Sequence, residues 1–481
     1  MSTPTDDRLY KPSVAIVGGG LTGAAIAYHL ANSAVPANIA VFEPRPEIGR
    51  GLAYGTTDPA HRINVPASKM SLLPSDEKHF INWIAANDAT ADDPDALAPD
   101  GHRYIRRALF GRYVTAHLQP HLDTGRIEHV RAAVDDITRV SPHRWRITTA
   151  DGASHHADVV VLATTHPPPG IPRELREGVG DDARLIRDAT LPGVLDAIAP
   201  TARVVIVGTG LTMADVVASL DQRGHRGPIY AFSRRGLTSR GHAPSPFEPF
   251  GDFTGSATSA RALLRSVRET IARAKSQNVP WQPVIDAVRA QAWTFWPKLS
   301  IVERKRIVDR LRPFWDVHRF RIAPQLKALL DRRQADGTLT LKAASLVDAR
   351  AFPDRLEIKV RPRAASVLET VKTDHLILTT GPAHDAILAT QPHLASLARQ
   401  GLIAADALGL GIACDRQGHA RTAAGLSHSD LFIAGPLARA EFGELMGLPQ
   451  VTTYAELIAG EVAATLARYS APQDDKLVSA Q

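Results

Sequence analysis

The chain has one cysteine, Cys414, in 481 residues. That excludes an intrachain disulfide, a CxxC redox pair and a cysteine-built zinc or iron–sulfur centre, and it fits a reducing, cytoplasmic setting. Long apolar runs are missing too. No uncharged and continuously apolar run reaches the roughly 18 residues that cross a bilayer, and the opening MSTPTDDRLYKPS has neither a basic start nor an apolar signal core; export and membrane insertion are not expected. Charge of one sign is scarce: 56 Lys and Arg against 50 Asp and Glu leave +6, mild for this length. The excess is local, with ten Lys or Arg and four acids in residues 301–335. Without zinc-finger spacing or an arginine–aromatic RNA motif, this reads as a solvated helix face and not a nucleic-acid surface. HExxH and GxSxG are both absent, which sets aside zincin and serine-hydrolase chemistry. Metal binding has little else to draw on: Pro120 is expected to interrupt the helix that would align His117 with His121, and the neighbours His155 and His156 would face opposite sides of a strand.

What is present is a globular composition, 44% hydrophobic and 22% charged, at a length that suits two or three domains. The first 13 residues and the last dozen are polar and expected to fray. Val14–Val17 is a short apolar run ended by Gly18, Gly19 and Gly20; helix-forming Ala24–Ala31 follows, then a second apolar strand, Ile39–Phe42. This is a βαβ unit. The grammar returns about 190 residues later with Arg203–Val207, a turn at Gly208-Thr209-Gly210, a helix Met213–Leu220 and a strand Ile229–Phe232, and both copies read IVGxGLT. Asp158–Thr164 and Asp374–Thr380 look like closing strands. Asp430–Ala434, followed by helical Val451–Leu466, looks like a return of the chain to its first unit. Residues 259–333 break the alternation: Leu263, Val267 and Ile271 recur at helical spacing, and Pro280, Pro283, Pro297 and Pro313 punctuate the stretch. The reading is an α/β chain with two Rossmann-like dinucleotide-binding domains and a helical insertion. Its expected limits are 1–175 for the first domain, 190–256 and 336–385 for the second, 257–335 for the insertion and 386–470 for the return.

The chemistry is in the turns. In Gly18-x-Gly20-x-x-Gly23 the first glycine permits the turn, the second lets backbone approach a pyrophosphate and the third lets helix pack on strand, while the helix N-terminus faces the phosphates. Glu43 stands 20 residues past Gly23, at the end of the second strand, where a carboxylate accepts from ribose hydroxyls. The second copy has Met213 where the third glycine would be, so its helix should pack more loosely or at another angle. It also has Ser233-Arg234-Arg235 where the first has an acid, and arginine there suits the 2′-phosphate of NADPH. Two such sites in one chain suggest NAD(P)H delivering hydride to a flavin, FAD, held by the first domain.

On these features the sequence resembles the two-dinucleotide-domain flavoproteins of glutathione-reductase-like architecture. More narrowly, it resembles the bacterial FAD/NAD(P)-binding family that includes an FAD-dependent urate hydroxylase. The resemblance rests on Gly49-Arg50-Gly51-Leu52-Ala53-Tyr54, Asn64-Val65-Pro66-Ala67 with Met70-Ser71, Gly208–Asp215, and Trp315-Asp316-Val317-His318-Arg319-Phe320-Arg321. It implies a flavin domain assembled from both ends of the chain, with the loop 49–71, including Tyr54, Asn64, Val65 and Met70, against the flavin and Gly435-Pro436-Leu437 approaching from the other side. It further implies an FAD-dependent, NAD(P)H-consuming monooxygenase that uses dioxygen and a flavin hydroperoxide on a small electron-rich heterocycle, with urate to 5-hydroxyisourate as the named expectation. His318, Arg319 and Arg321 would be the catalytic groups and Trp315 a stacking platform. An amine N-hydroxylase and an NAD(P)H:acceptor flavin reductase are the alternatives. No FxGxxxHxxxW stretch joins the two nucleotide motifs; residues 165–175 read THPPPGIPREL instead, so Baeyer–Villiger and sulfoxidation roles do not carry over.

Overall fold

A computed structural model of the chain describes residues 10–255, 258–382 and 386–470. The first sheet is built from β1 (Ser13–Val17), β2 (Asn38–Phe42) and β3 (Ile127–Val130). A three-stranded antiparallel excursion, β4 (Val134–Ser141), β5 (Arg144–Thr149) and β6 (Ser154–Ala157), leads to β7 (Val159–Leu162). The second sheet contains β8 (Leu185–Ile186), β9 (Val204–Val207), β10 (Ile229–Ser233), β11 (Leu339–Ala351), β12 (Leu356–Pro362), β13 (Glu369–Thr373) and β14 (His375–Leu378). Finally β15 (His419–Arg421) and β16 (Ser427–Ile433) complete the first sheet in the order β15-β16-β7-β1-β2-β3, while the second runs β13-β12-β11-β10-β9-β14-β8.

In both sheets β1 and β9 are central and parallel to their neighbours, buried on two faces, which is why they read as unbroken apolar runs. β16 pairs in parallel with β7, so the C-terminal segment does complete the first sheet, and the helix Gln450–Ser470 lies on the alanine-rich helix Leu21–Ala31. β8 belongs to the second sheet although it precedes residue 190, pairing through Leu185 and Ile186 with β14. The expected frayed N-terminus begins its order early. Tyr10 Oη donates to Asp158 at 2.6 Å, and Ser13 donates through both N and Oγ at 2.7 Å. Residues 1–9 and 471–481 lie outside the described residues.

The helical segment comprises Ala260–Ser276, Gln282–Phe295, Ile301–Arg306, a π turn over Ile307–Leu311, Arg312–Arg319 and Pro324–Ala335. Its last helix is the crossover that a parallel β10–β11 pair requires, and it packs on the helix Leu211–Gln222. The π turn falls just before Pro313, whose missing N–H leaves the preceding turn without an α-type bond. The local basic surplus is partly spent in short-range pairs, among them Lys305–Asp309, Arg312–Asp316 and Lys327–Asp331. Pro120 does not interrupt its helix. Arg107–Asp123 runs through it, because the proline sits in the last turn where few bonds depend on it. His117 and His121 are used locally, toward the Tyr113 carbonyl and Asn32. Among the described residues no three His, Cys, Asp or Glu side chains are grouped to hold a metal, and no helix is long and apolar enough to cross a membrane.

Candidate functional site

The first glycine turn is tightly packed at Gly18 and Gly23. Gly18 has φ +104°, and a Cβ there would sit 2.6 Å from the Ala163 carbonyl oxygen; one on Gly23 would sit 2.0 Å from the Gly18 carbonyl oxygen. Only glycine at these two positions lets the helix Leu21–Ala31 start so close to β1 and β7. That helix has no side-chain cap at Gly20, so its first N–H groups stay available to an anion. Glu43 is 3% exposed. Its carboxylate accepts from Gly19 N at 3.1 Å, Arg45 N at 3.0 Å and Arg45 Nη1 at 3.2 Å, which fixes it at the end of β2.

From this turn a cavity of about 540 Å³ runs to the second unit. Gly18, Gly20, Glu43 and Tyr54 of the expected site line it. Thr212, Asp215 and Val216 of the helix Leu211–Gln222 form the facing wall. The two units are locked across it: Arg107 Nη1 pairs with Asp215 at 2.9 Å, His61 Nε2 meets Ser219 Oγ at 3.0 Å, and Arg223 pairs with Asp58 at 2.8 Å. Burial pushes the Tyr54 hydroxyl up to about 12. His166, also on the wall, is pushed down to about 4 by burial, with Arg439 and Arg312 adding repulsion. The glycine cradle, the uncapped helix start, the fixed acid and a cavity of this size fit FAD.

Other expected site residues do not line this cavity. The Asn64 carbonyl accepts from His242 Nε2 at 2.9 Å, Met70 is 2% exposed in the core, and Val65 packs beside it. Gly435 seats against Thr22 and leaves Pro436 at the wall. In the second turn Met213 is 1% exposed, filling the space the missing glycine would have left. Gly208 abuts Thr379, whereas a Cβ on Gly210 would meet nothing within 4 Å. Ser233 Oγ meets Thr209 Oγ1 at 2.7 Å and accepts from Gly236 N at 3.0 Å, which shapes the turn that presents Arg234 and Arg235. Arg234 is exposed and makes no ion pair among the described residues, and the Arg235 guanidinium lies 5.8 Å from the Phe314 ring.

The expected catalytic trio does not line either cavity. A second cavity, of about 130 Å³, is lined by Arg312, Trp315, Asp316 and Phe320, which repeat at i, i+3, i+4 and i+8. His318, Arg319 and Arg321 fall off that stripe. His318 Nδ1 meets the Phe314 carbonyl at 2.7 Å and its ring stands edge-on to Trp281; Arg319 is bonded to Glu444; Arg321 Nη2 pairs with Asp286 at 2.6 Å. Met446 borders both cavities. Sequence reasoning missed it, along with Ala132–Val134, Thr164–His166, Gln391, His393 and the buried Arg439, because they lie in loops or at the ends of elements, where periodicity carries no signal. The THPPP stretch around His166 was the one visible signal.

Residues 15–167 match the family model described as FAD-NAD(P)-binding. A curated relative, the methylenetetrahydrofolate–tRNA-(uracil-5-)-methyltransferase of Acholeplasma laidlawii, is 28% identical over 145 residues, and the match spans 28% of this chain and 31% of that protein, under a third of its length. Among solved structures the ornithine N-hydroxylase of Kutzneria sp. 744 is similar over 96% of this chain and 100% of that one, at TM-score 0.62 and 16% identity. The L-lysine 6-monooxygenase of Pseudomonas syringae has the same coverage and TM-score at 17% identity. A cadaverine monooxygenase of Erwinia amylovora, bound to FAD, is similar at TM-score 0.60 and 14% identity over 96% of this chain and 94% of that one. These matches do not carry the urate-hydroxylase resemblance. They show an FAD-NAD(P)-binding segment in residues 15–167 on a flavoprotein fold that extends over nearly the whole chain.

Proposed function

We propose that this chain is an FAD-dependent, NAD(P)H-consuming monooxygenase that hydroxylates the amine nitrogen of a small molecule. The observation that carries the reading is the single cavity walled by the first glycine turn and by the helix of the second unit, with a smaller cavity meeting it at Met446. When bound, FAD supplies the redox chemistry, overall R–NH2 + O2 + NAD(P)H + H+ giving R–NHOH + H2O + NAD(P)+. Gly18, Gly20 and the first N–H groups of the helix Leu21–Ala31 hold the pyrophosphate, and Glu43 takes the ribose hydroxyls. Arg234 and Arg235 receive the 2′-phosphate of NADPH. Apolar side chains, including Trp296, Trp315 and Phe320, keep water from the smaller cavity. An amine must lose its proton before it attacks oxygen, and a carboxylate on that wall, Asp316, is the acceptor at hand; burial raises its affinity for a proton although Arg312 opposes the shift.

The fold's neighbours named as an ornithine N-hydroxylase, a lysine monooxygenase and a cadaverine monooxygenase support the amine reading over urate. The flavin-reductase alternative has no thiol to serve disulfides, because Cys414 is buried and burial raises its pKa. The test is aerobic NAD(P)H oxidation by FAD-loaded enzyme across a panel of small amines. The reading expects at least one amine to accelerate oxygen uptake and to yield its hydroxylamine. Reduction of the flavin with no amine-dependent oxygen uptake would overturn it.

A further inference from the structure

The smaller cavity is apolar in its walls and charged at its rim. Phe295, Trp296, Trp315 and Phe320 supply the walls, and the Trp296 indole is fixed by a bond from Nε1 to the Ala440 carbonyl at 2.9 Å. The π turn over Ile307–Leu311 lets the consecutive Ile307 and Val308 both reach the space, and such widened turns gather at functional sites. A packing void between helices needs no more than this. The charges show that it is more than a void.

Four guanidiniums surround the space: Arg312 and Arg439 on its wall, and Arg289 and Arg319 behind it. Two carboxylates answer them. Glu444 bonds Arg319 and lies 3.9 Å from Arg289, and Asp316 lies 3.5 Å from Arg312. Arg439 has no carboxylate at ion-pair distance among the described residues, although Asp316, Asp406 and Glu444 act on it from farther off. It is 4% exposed; Nε donates to the Leu410 carbonyl at 3.1 Å, Nη1 points to Met446 Sδ at 3.0 Å, and Nη2 is buried with no hydrogen-bond partner. Leaving a buried guanidinium N–H unbonded is costly in proteins generally. Burial together with repulsion from Arg312 pushes Arg439 down to about 10, still a cation at neutral pH. The missing partner is an anion, and the room beside it is the size of one ring.

We propose that this cavity is the substrate pocket and that it takes a single-ring, carboxylate-bearing amine, its carboxylate bonded to Nη2 of Arg439 and its ring among Trp296, Trp315 and Phe320. The choice of amine rests on the monooxygenase reading above; the carboxylate and the ring rest on the pocket alone. Met446, which separates this space from the larger cavity and touches Arg439, orients the ligand so that the end away from the carboxylate faces the nucleotide site.

Calorimetric titration of the FAD-loaded enzyme with benzoate and with benzylamine tests the pocket without turnover. Benzoate is expected to bind about tenfold or more tightly than benzylamine, and Arg439→Met to weaken benzoate by about tenfold or more while FAD content is kept, since a charge-assisted bond of this kind is worth about that factor. Arg439→Lys should keep part of the affinity. Equal binding of the two probes, no binding of benzoate, or unchanged benzoate affinity in Arg439→Met would overturn the proposal. If Arg439→Met does not fold, the wild-type preference and the partly exposed Arg312→Gln, expected to weaken benzoate several-fold, decide it. Oxygen uptake with 4-aminobenzoate against aniline separates the two readings. Benzoate binding with no amine-dependent uptake keeps the pocket and removes the monooxygenase; uptake driven by amines with no benzoate binding does the reverse.

Discussion

The two nucleotide units share IVGxGLT and the same strand–turn–helix, yet they are finished differently. In the first, Gly23 lets the helix touch the turn, and the loop around Gly51 comes down over Gly20, the Gly51 Cα lying 3.7 Å from where a Gly20 Cβ would be. In the second, Met213 fills the corresponding place and Gly210 is uncovered. The first acid, Glu43, is buried and held by three donors; the second unit ends in Arg234, exposed. On the function proposed above, the covered turn with its fixed acid would keep FAD, and the open turn, with Arg234 exposed, would exchange NAD(P)H.

The largest effect expected from disturbing this contrast is on stability. Burial pushes His166 and His393, on the first unit's cavity, and His242 beside the loop 49–71 down to about 4. Between the ordinary value of 6.5 and about 4 the unfolded chain takes up protons that the folded chain refuses. Stability is therefore complete above pH 6.5 and falls as pH drops toward 4, by about 3 kcal/mol for each ring that stays fully buried. Urea midpoints measured across that window check it, and His393→Gln should flatten the fall. Gly23→Ala comes next: the clash is with backbone oxygen, so the protein is expected to purify colourless and to bind FAD about a hundredfold more weakly. Met213→Leu, which conserves volume, should leave both FAD content and NADPH-driven reduction within a few-fold. Glu43→Gln should raise the FAD dissociation constant about tenfold, as seen by fluorescence titration, through loss of charge-assisted bonds. Arg234→Gln with Arg235→Gln is expected to raise the KM for NADPH by about tenfold or less, to spare NADH, and to leave FAD content unchanged.

Much of this was legible in the sequence because it is local. Apolar runs ending in Gly18 and Gly208, the acid at 43, the arginines at 234 and 235, and the return of the chain at 430 all follow from spacing and residue type. The motif 315–321 shows the limit of reading chemistry without helix phase. His318, Arg319 and Arg321 are chemically able residues in one motif, but the residues of this stretch that line the smaller cavity are Arg312, Trp315, Asp316 and Phe320. Arg439 and Met446 could not be seen at all. Their meaning comes from a cavity that forms only when the C-terminal segment packs on the helical insertion, and no periodicity marks that contact. Likewise β8 is two residues long, too short to register as a strand before its pairing with β14 is known.

Anaerobic mixing of the yellow, FAD-loaded protein with one equivalent of NADPH is the most direct test of the shared cavity. Rapid and complete bleaching of the flavin, faster with NADPH than with NADH, is the result that a cavity walled by both units requires. A flavin that stays oxidised, or that bleaches only when an added mediator carries the electrons, would mean that the two turns do not serve one reaction.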